Sequence, residues 1–321
     1  MGIPNVVIHA DWSIHPKKRW MAKATRQGDR WLLEGPWKVP PSEKWVETLL
    51  EAAADGGSLA VGFDFPIGVP AAYAERAGIP SFPWLLDQLE TPEWVEFLHV
   101  CNVKSEISVQ RPFYPHAPGG TKRDHVLNGL GLESNGDLLR RCDRAQVHRT
   151  AASPLFWTLG AKQVGKAAIT GWREVVVPLR RLGGDAVGLW PFEGSFTDLH
   201  DAHRIVIAET YPGEVYHRLG FPLGGPGKRD QAKRRLRGVE VHKWMEDQPI
   251  TLDPELEHRL IDGFGPEGDG EDPFDAVVGL VGMVGTILRG DADPPTLDDD
   301  PGRAVEGWIF GQDPATEKAA S

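Results

Sequence analysis

The sequence predicts an α/β protein: a mixed sheet, with an antiparallel meander followed by parallel strands, flanked by helices and interrupted by one long irregular insertion. Three observations carry this. Short apolar, β-branched runs recur at Asn5–Ala10, Leu59–Asp64 and Ile205–Ala208, and runs of that length read as buried strands. Segments with helical spacing separate them. Residues 70–171 are rich in Pro, Trp and Gly, which marks an insertion or lid on the core rather than a regular layer. Residues 1–321 then form a single domain.

In chain order, NVVIHA closes on Asp11, and His15-Pro16-Lys17-Lys18 turns the chain back. A second strand over Arg19–Arg26, a turn at Gln27-Gly28-Asp29 and a third strand over Trp31–Glu34 complete a meander. Ser42 is expected to cap a helix over Glu43–Ala54, with Trp45, Leu49 and Ala52/Ala53 at helical spacing. LAVGFD follows and ends at Asp64 before Pro66 and Gly68. Inside the insertion, short helices are expected near Trp94–Val100 and Leu138–His148. Beyond it come a helix at Trp172–Leu182, a strand at Val187–Trp190, a turn at Thr197–His200 and the strand leading to Glu209. A helix from Gly213 to Leu219 follows, and the last helix starts near Pro273 with Asp275 in its first turn. The acidic, Pro-rich tail after Asp291 contains Trp308-Ile309-Phe310, which should dock on the core.

Composition narrows the function classes. The chain has 321 residues, 40% hydrophobic, 25% charged and a net charge of −11, enough to bury a large core. No apolar run approaches the ~20 residues of a membrane span. The N-terminus lacks the basic-then-apolar pattern of a secretory signal, and two distant cysteines, Cys101 and Cys142, make no disulfide framework. A reducing cytoplasm is the expected location. The negative balance argues against a nucleic-acid coating protein, which needs a basic surface, but not against an enzyme with a local basic groove.

Three strands end in a carboxylate, at Asp11, Asp64 and Glu209, and Asp272-Pro-Phe-Asp275 opens a helix. Strand ends along one sheet edge are where open α/β folds place their sites. Positions three apart on a helix share a face, so Asp272 and Asp275 can point together. Carboxylates gathered this way repel and raise one another's pKa; a hard cation, Mg²⁺ or Mn²⁺, resolves the conflict with oxygen ligands. Two such ions ~4 Å apart can activate a water and stabilise a leaving oxygen in phosphodiester cleavage. The expected metal set is therefore Asp11, Asp64, Glu209, Asp272 and Asp275, with Asp11 bridging. Lys228, Arg141 and Arg144 are the cations expected to meet substrate phosphate.

Several of these segments carry a resemblance. Asp11 closing the first strand, Phe63-Asp64-Phe65-Pro66-Ile67-Gly68-Val69-Pro70, Arg141-Cys142-Asp143-Arg144, Glu209-Thr210-Tyr211-Pro212 followed by Lys228, and Asp272-Pro-Phe-Asp275-Ala276 resemble the predicted RNase H-like nuclease family labelled DUF429. The D-x-x-D pair opening the last helix also resembles Holliday-junction resolvases. The resemblance implies an RNase H-like fold and a metal-dependent phosphodiesterase site acting on nucleic acid or a nucleotide. The sequence departs from the family where Trp12-Ser13 stand in place of glycines, and over most of residues 70–171.

Other features weigh less. Lys228–Lys243 holds seven basic residues against Asp230 and Glu240; it reads as a solvated helix face or as the contact surface of a non-catalytic binding module, the principal alternative. His200 and His203 flank Asp201 but suggest a turn rather than a ligand pair, and Glu193 is a spare carboxylate. Cys142 reads as packing, because no base accompanies it. Gly224-Gly225-Pro226-Gly227-Lys228 is not a P-loop, since Pro222 and Arg229 occupy required positions. Trp84, Trp94, Trp157 and Trp172 are expected to staple the insertion more than to stack on bases.

Overall fold

A computed structural model describes residues 2–160, 164–219, 228–266, 270–293 and 302–313. The Gly/Pro run 222–227 and most of the acidic tail, 294–301 and 314–321, lie outside the described residues. The strands are β1 (Val6–Asp11), β2 (Trp20–Gln27), β3 (Arg30–Lys38), β4 (Leu59–Phe63), β5 (Val187–Leu189), β6 (Ile205–Glu209) and β7 (Ile250–Leu252). They form one sheet in the order β5-β6-β4-β1-β2-β3-β7. β1, β2 and β3 are the antiparallel meander, while β4, β6 and β5 run parallel beyond β1. The α/β class and the mixed sheet are therefore as the sequence predicts. β7, which pairs with β3, is an element the sequence reading lacks.

The helices are α1 (Ser42–Ala54), α2 (Ala71–Ala77), α3 (Phe82–Gln88), α4 (Asp124–Leu130), α5 (Val164–Gly171), α6 (Val177–Gly183), α7 (Phe196–Ala202), α8 (Pro212–Arg218), α9 (Gln231–Glu246), α10 (Pro254–Asp262), α11 (Glu271–Arg289) and α12 (Arg303–Glu306). A π-helical turn at Trp172–Val176 joins α5 to α6. Ser42 is the first residue of α1 rather than its cap; Pro41 takes the cap position and makes no side-chain bond, because the Ser42 hydroxyl is spent on Glu174 at 2.8 Å. Thr197–His200 is helical rather than a turn: the Ser195 hydroxyl accepts from the Asp198 amide and starts α7. Leu138–His148 holds two short 3₁₀ turns, Asn135–Leu138 and Arg141–Asp143, in place of a helix. Its backbone is instead held by long-range side-chain bonds, including Glu306 to the Arg141 amide and Arg149 to the Cys142 carbonyl. Trp94–Val100 forms turns.

Alternation along the strands divides the core in two. On one face Ile8, Ala10, Val61, Phe63 and Ile207 pack with α1, α5, α6 and most of the insertion, including Tyr73, Phe82, Phe97, Phe113 and Phe156. On the other, Val7, Ala22, Ala60, Val206 and Ala208 meet α11. The insertion's apolar side chains thus continue the sheet's own core. Trp172 is fully buried, packs edge-on against Phe82 and donates its indole N–H to the Pro66 carbonyl; Trp84 and Trp94 pack edge to face. Trp308-Ile309-Phe310 is buried, with the Phe310 amide donating to the Glu209 carbonyl.

Two glycines let α11 lie close to the sheet. A Cβ at Gly279 would stand 2.2 Å from the His9 ring, and one at Gly62 would stand 2.4 Å from the Met283 sulfur. His9, wholly buried on β1, bonds the Ala276 carbonyl through Nδ1 at 3.0 Å. Burial holds this imidazole down at about 4, so it stays neutral. Among the described residues, no helix is long and apolar enough to cross a membrane.

Candidate active site

Asp11 ends β1, and Asp64 follows β4 by one residue. The parallel register pairs Ala10 with Phe63, so the two aspartates stand side by side at the carboxyl edge, on the face that carries His9 and Gly62 beneath α11. The Trp12 amide donates to Asp64 Oδ1 at 2.7 Å. The Asp11 and Asp64 carboxyls are themselves hydrogen-bonded. Burial raises Asp11 well above the usual carboxylate range, and the charges of Asp64, Asp275 and Asp272 raise it further. Burial likewise moves Asp64 up to about 7, against the downward pull of the Trp12 amide and the bond to Asp11. Burial thus favours the protonated form at both positions.

α11 brings the remaining acids. The His9–Ala276 bond seats its first turn over β1, and Asp275 accepts from Lys228 Nζ at 2.7 Å. The Tyr216 hydroxyl donates to Asp275 at 3.4 Å, and the Lys228 ammonium sits 5.5 Å from the Tyr216 ring. Asp272, one turn earlier, is raised by burial and drawn down by Lys18 and Lys38. Asp275, paired with Lys228, thus faces Asp11 and Asp64 across the gap beneath α11, with Asp272 at the margin.

Glu209 is not brought to this group. Its register partner is Phe63, not Asp64, so its side chain leaves the sheet on the opposite face; Thr210 holds the level of the two aspartates. Glu209 is buried and accepts from Arg140 Nη1 at 2.5 Å, Arg140 Nη2 at 2.7 Å and the Ile67 amide at 2.7 Å. Arg140, itself fully buried, also binds Asp143 at 2.8 and 3.0 Å. Arg140, which the sequence sets beside Arg141 and Arg144 as a cation to face phosphate, is instead the buried partner of Glu209. The Arg141 guanidinium lies 5.9 Å from the Trp308 ring, and the Arg144 carbonyl accepts from Arg149.

Residues 140–149 reach this sheet edge from the insertion, as does Thr170, which accepts from the Trp12 indole at 3.0 Å. Arg149 and His148 both bind Glu214, Arg149 lies 5.8 Å from the Tyr211 ring, and His148 stacks on His217 at 3.6 Å. The basic run of α9 is largely engaged. Arg234 is fully buried and donates to the Gly263, Lys228 and Gly265 carbonyls, and Arg235 binds Asp262. His200 and His203 bond Ser58 and the Asp185 carbonyl, and Glu193 binds Arg180. Cys101 and Cys142 are both free and buried.

The donor chemistry fits a hard divalent ion: oxygen donors, two of them side by side and raised by burial. The spacing is incomplete, for among the described residues no three His, Cys, Asp or Glu side chains stand close enough together to hold an ion. Lys228 supplies Asp275 with the positive charge instead. Lys228→Met is accordingly expected to enlarge the rise in melting temperature that Mn²⁺ produces. An unchanged Mn²⁺ shift would remove Asp275 from the ligand set.

No protein-family model, no curated protein and no solved structure matches this chain.

Proposed function

We propose that the chain is a divalent-metal-dependent phosphodiesterase of RNase H-like architecture, a nuclease in the manner of the DUF429 family that its motifs resemble. The observation that carries this reading is the Asp11–Asp64 pair, two carboxyls side by side on adjacent parallel strand ends beneath α11, both raised by burial. The sheet supports it: a three-stranded meander, then parallel strands beyond β1, with the last long helix laid across the same face.

Asp11 and Asp64 would hold the ion, with Asp275 and, at the margin, Asp272 completing its ligands. Bound there, Mg²⁺ or Mn²⁺, as one ion or two, supplies an activated water and neutralises charge on the phosphate. The chain contributes the rest. The Trp12 amide fixes the Asp64 carboxylate. His9 and the Gly279 contact set the height of Asp275. Lys228 is the counter-charge that the ion would displace, leaving its ammonium available to a phosphate oxygen.

The test is hydrolysis of bis(p-nitrophenyl) phosphate, which needs no recognition of a base. Release of nitrophenolate in Mn²⁺ or Mg²⁺, abolished by EDTA, is expected. Absence of both metal-dependent hydrolysis and a metal-induced rise in melting temperature would overturn the proposal.

A further inference from the structure

The acid pair does not end at β1. Asp11 is the register partner of Trp20 on β2, and Trp20 is the partner of Lys38 on β3. Directly opposed residues of antiparallel strands project from the same face. Asp64, Asp11, Trp20 and Lys38 therefore form one row across four strands, on the face covered by α11. Trp20 is half-exposed, as are Asp11 and Asp64, and Lys38 is exposed. The Lys38 ammonium lies 3.8 Å from the Trp20 ring and donates to the Lys17 carbonyl at 2.5 Å. Lys18 and Lys38 both act electrostatically on Asp272, so these lysines border the acids as well as the ring.

On the other face of the sheet, between α1 and α6, a groove of about 1200 Å³ has Lys17, Lys38, Arg173 and Arg181 along it. Five cationic residues and three glutamates line it, a net positive path on a chain whose overall charge is −11. Arg19 is part of this wall. It is 2% exposed and lies 3.8 Å from the ring of Trp12, the residue after Asp11, and its Nη2 has no hydrogen-bond partner. An aromatic face set among basic residues is the pattern that takes single-stranded nucleic acid: bases stack on the ring and phosphates follow the charge.

Resting on the hydrolytic reading of the acid cluster, we propose that the substrate is single-stranded nucleic acid, with Trp20 stacking a base next to Asp11 and Lys38 and Lys18 holding the adjoining phosphate. A base arriving on Trp20 displaces the Lys38 ammonium from the ring and hands it to the backbone. A continuous duplex, whose bases are paired and stacked, offers Trp20 no free face.

The test is fluorescence anisotropy with the full-length protein in EDTA, where no strand is cut. The probes are a labelled oligothymidylate, an oligouridylate, an abasic strand of the same length and a duplex. Wild type is expected to bind the base-bearing strands about tenfold more tightly than the abasic strand or the duplex. Trp20→Leu should remove that preference and Trp20→Phe should keep most of it. Lys38→Ala should lower the slope of log affinity against log salt by about one. Preference for only one of the two base-bearing strands would still support the stacking and would add that the 2′-hydroxyl or the thymine methyl is read. Equal affinity for abasic and base-bearing strands, or tighter binding of the duplex, would overturn the proposal, even if Trp20→Leu fails to fold. Because binding is read without metal or turnover, this result is separate from the hydrolysis of bis(p-nitrophenyl) phosphate.

Discussion

Glu209→Gln is expected to destabilise the protein by about 3–5 kcal/mol, the usual cost of removing one partner from a buried ion pair. Glutamine keeps an acceptor for the Ile67 amide but takes the negative charge from Arg140, which is fully buried and bound to Glu209 through both terminal nitrogens. Asp143 alone then balances that cation. The loss should be seen first in residues 140–149, which Arg140 ties to the edge of β6, as new proteolytic cleavage there below the melting temperature. A metal ligand would behave in the opposite sense. Removing one of several crowded carboxylates would leave stability in EDTA unchanged or raised, while weakening Mn²⁺ binding. Denaturant unfolding in EDTA therefore decides between the two roles. A stability equal to wild type would return Glu209 to the candidate ligands.

Asp11→Asn is expected to lower metal-dependent hydrolysis by more than about a hundredfold, since loss of an outer-shell partner alone costs a metal site 10–100-fold. Fold stability in EDTA should rise near neutral pH, and its pH dependence carries a definite sign. Asp64 titrates at about 7 in the folded chain against an ordinary 3.8, and Asp11 is raised as well. Between those values the native state holds a proton the unfolded chain has released, so wild-type stability falls as pH rises from about 4 to 7. Without the repelling partner, the variant should lose less over that range. His9 works the other way. Its folded value near 4 lies below the ordinary 6.5, so its contribution is present above 6.5 and lost as pH falls toward 4. That contribution is common to both proteins and cancels in their difference. Activity retained by Asp11→Asn on a substrate the wild type cleaves would sink the mechanism.

What the sequence reveals, and what it conceals, follows from where the information resides. Each strand that ends in a carboxylate is legible because strands are local: VVIHAD, LAVGFD and IVIAE carry their apolar runs and their stops within a few residues. The face each carboxylate takes is not local. Glu209 and Asp64 occupy the same kind of position in their own segments, yet the parallel register sets Glu209 opposite Phe63. A shift of one residue in pairing exchanges the two faces of a strand, and no residue within IVIAET announces that register. The ion-pair role of Arg140 was illegible for a related reason. Its partners are 69 positions away in Glu209 and 3 away in Asp143, inside a stretch with no period to read. The Trp20–Lys38 pair was hidden because the third strand, expected to stop at Glu34, runs on to Lys38 past a register shift. The docking of Trp308-Ile309-Phe310 was legible, being an apolar island in an acidic tail.

If the cluster holds an ion as proposed, the seating of α11 has a consequence for which ions it would admit. The strand-borne acids and the helix-borne acids belong to two bodies whose separation is fixed by hard contact, His9 against Gly279 and Met283 against Gly62. A larger ion cannot widen the gap by lifting the helix without opening a void along a surface where twelve of nineteen helix residues are buried. Discrimination between Mg²⁺ and the larger, more permissive Ca²⁺ would then be enforced a full turn away from the ligands, by two missing methyl groups, and enlarging either glycine would change ionic preference without touching a single oxygen donor.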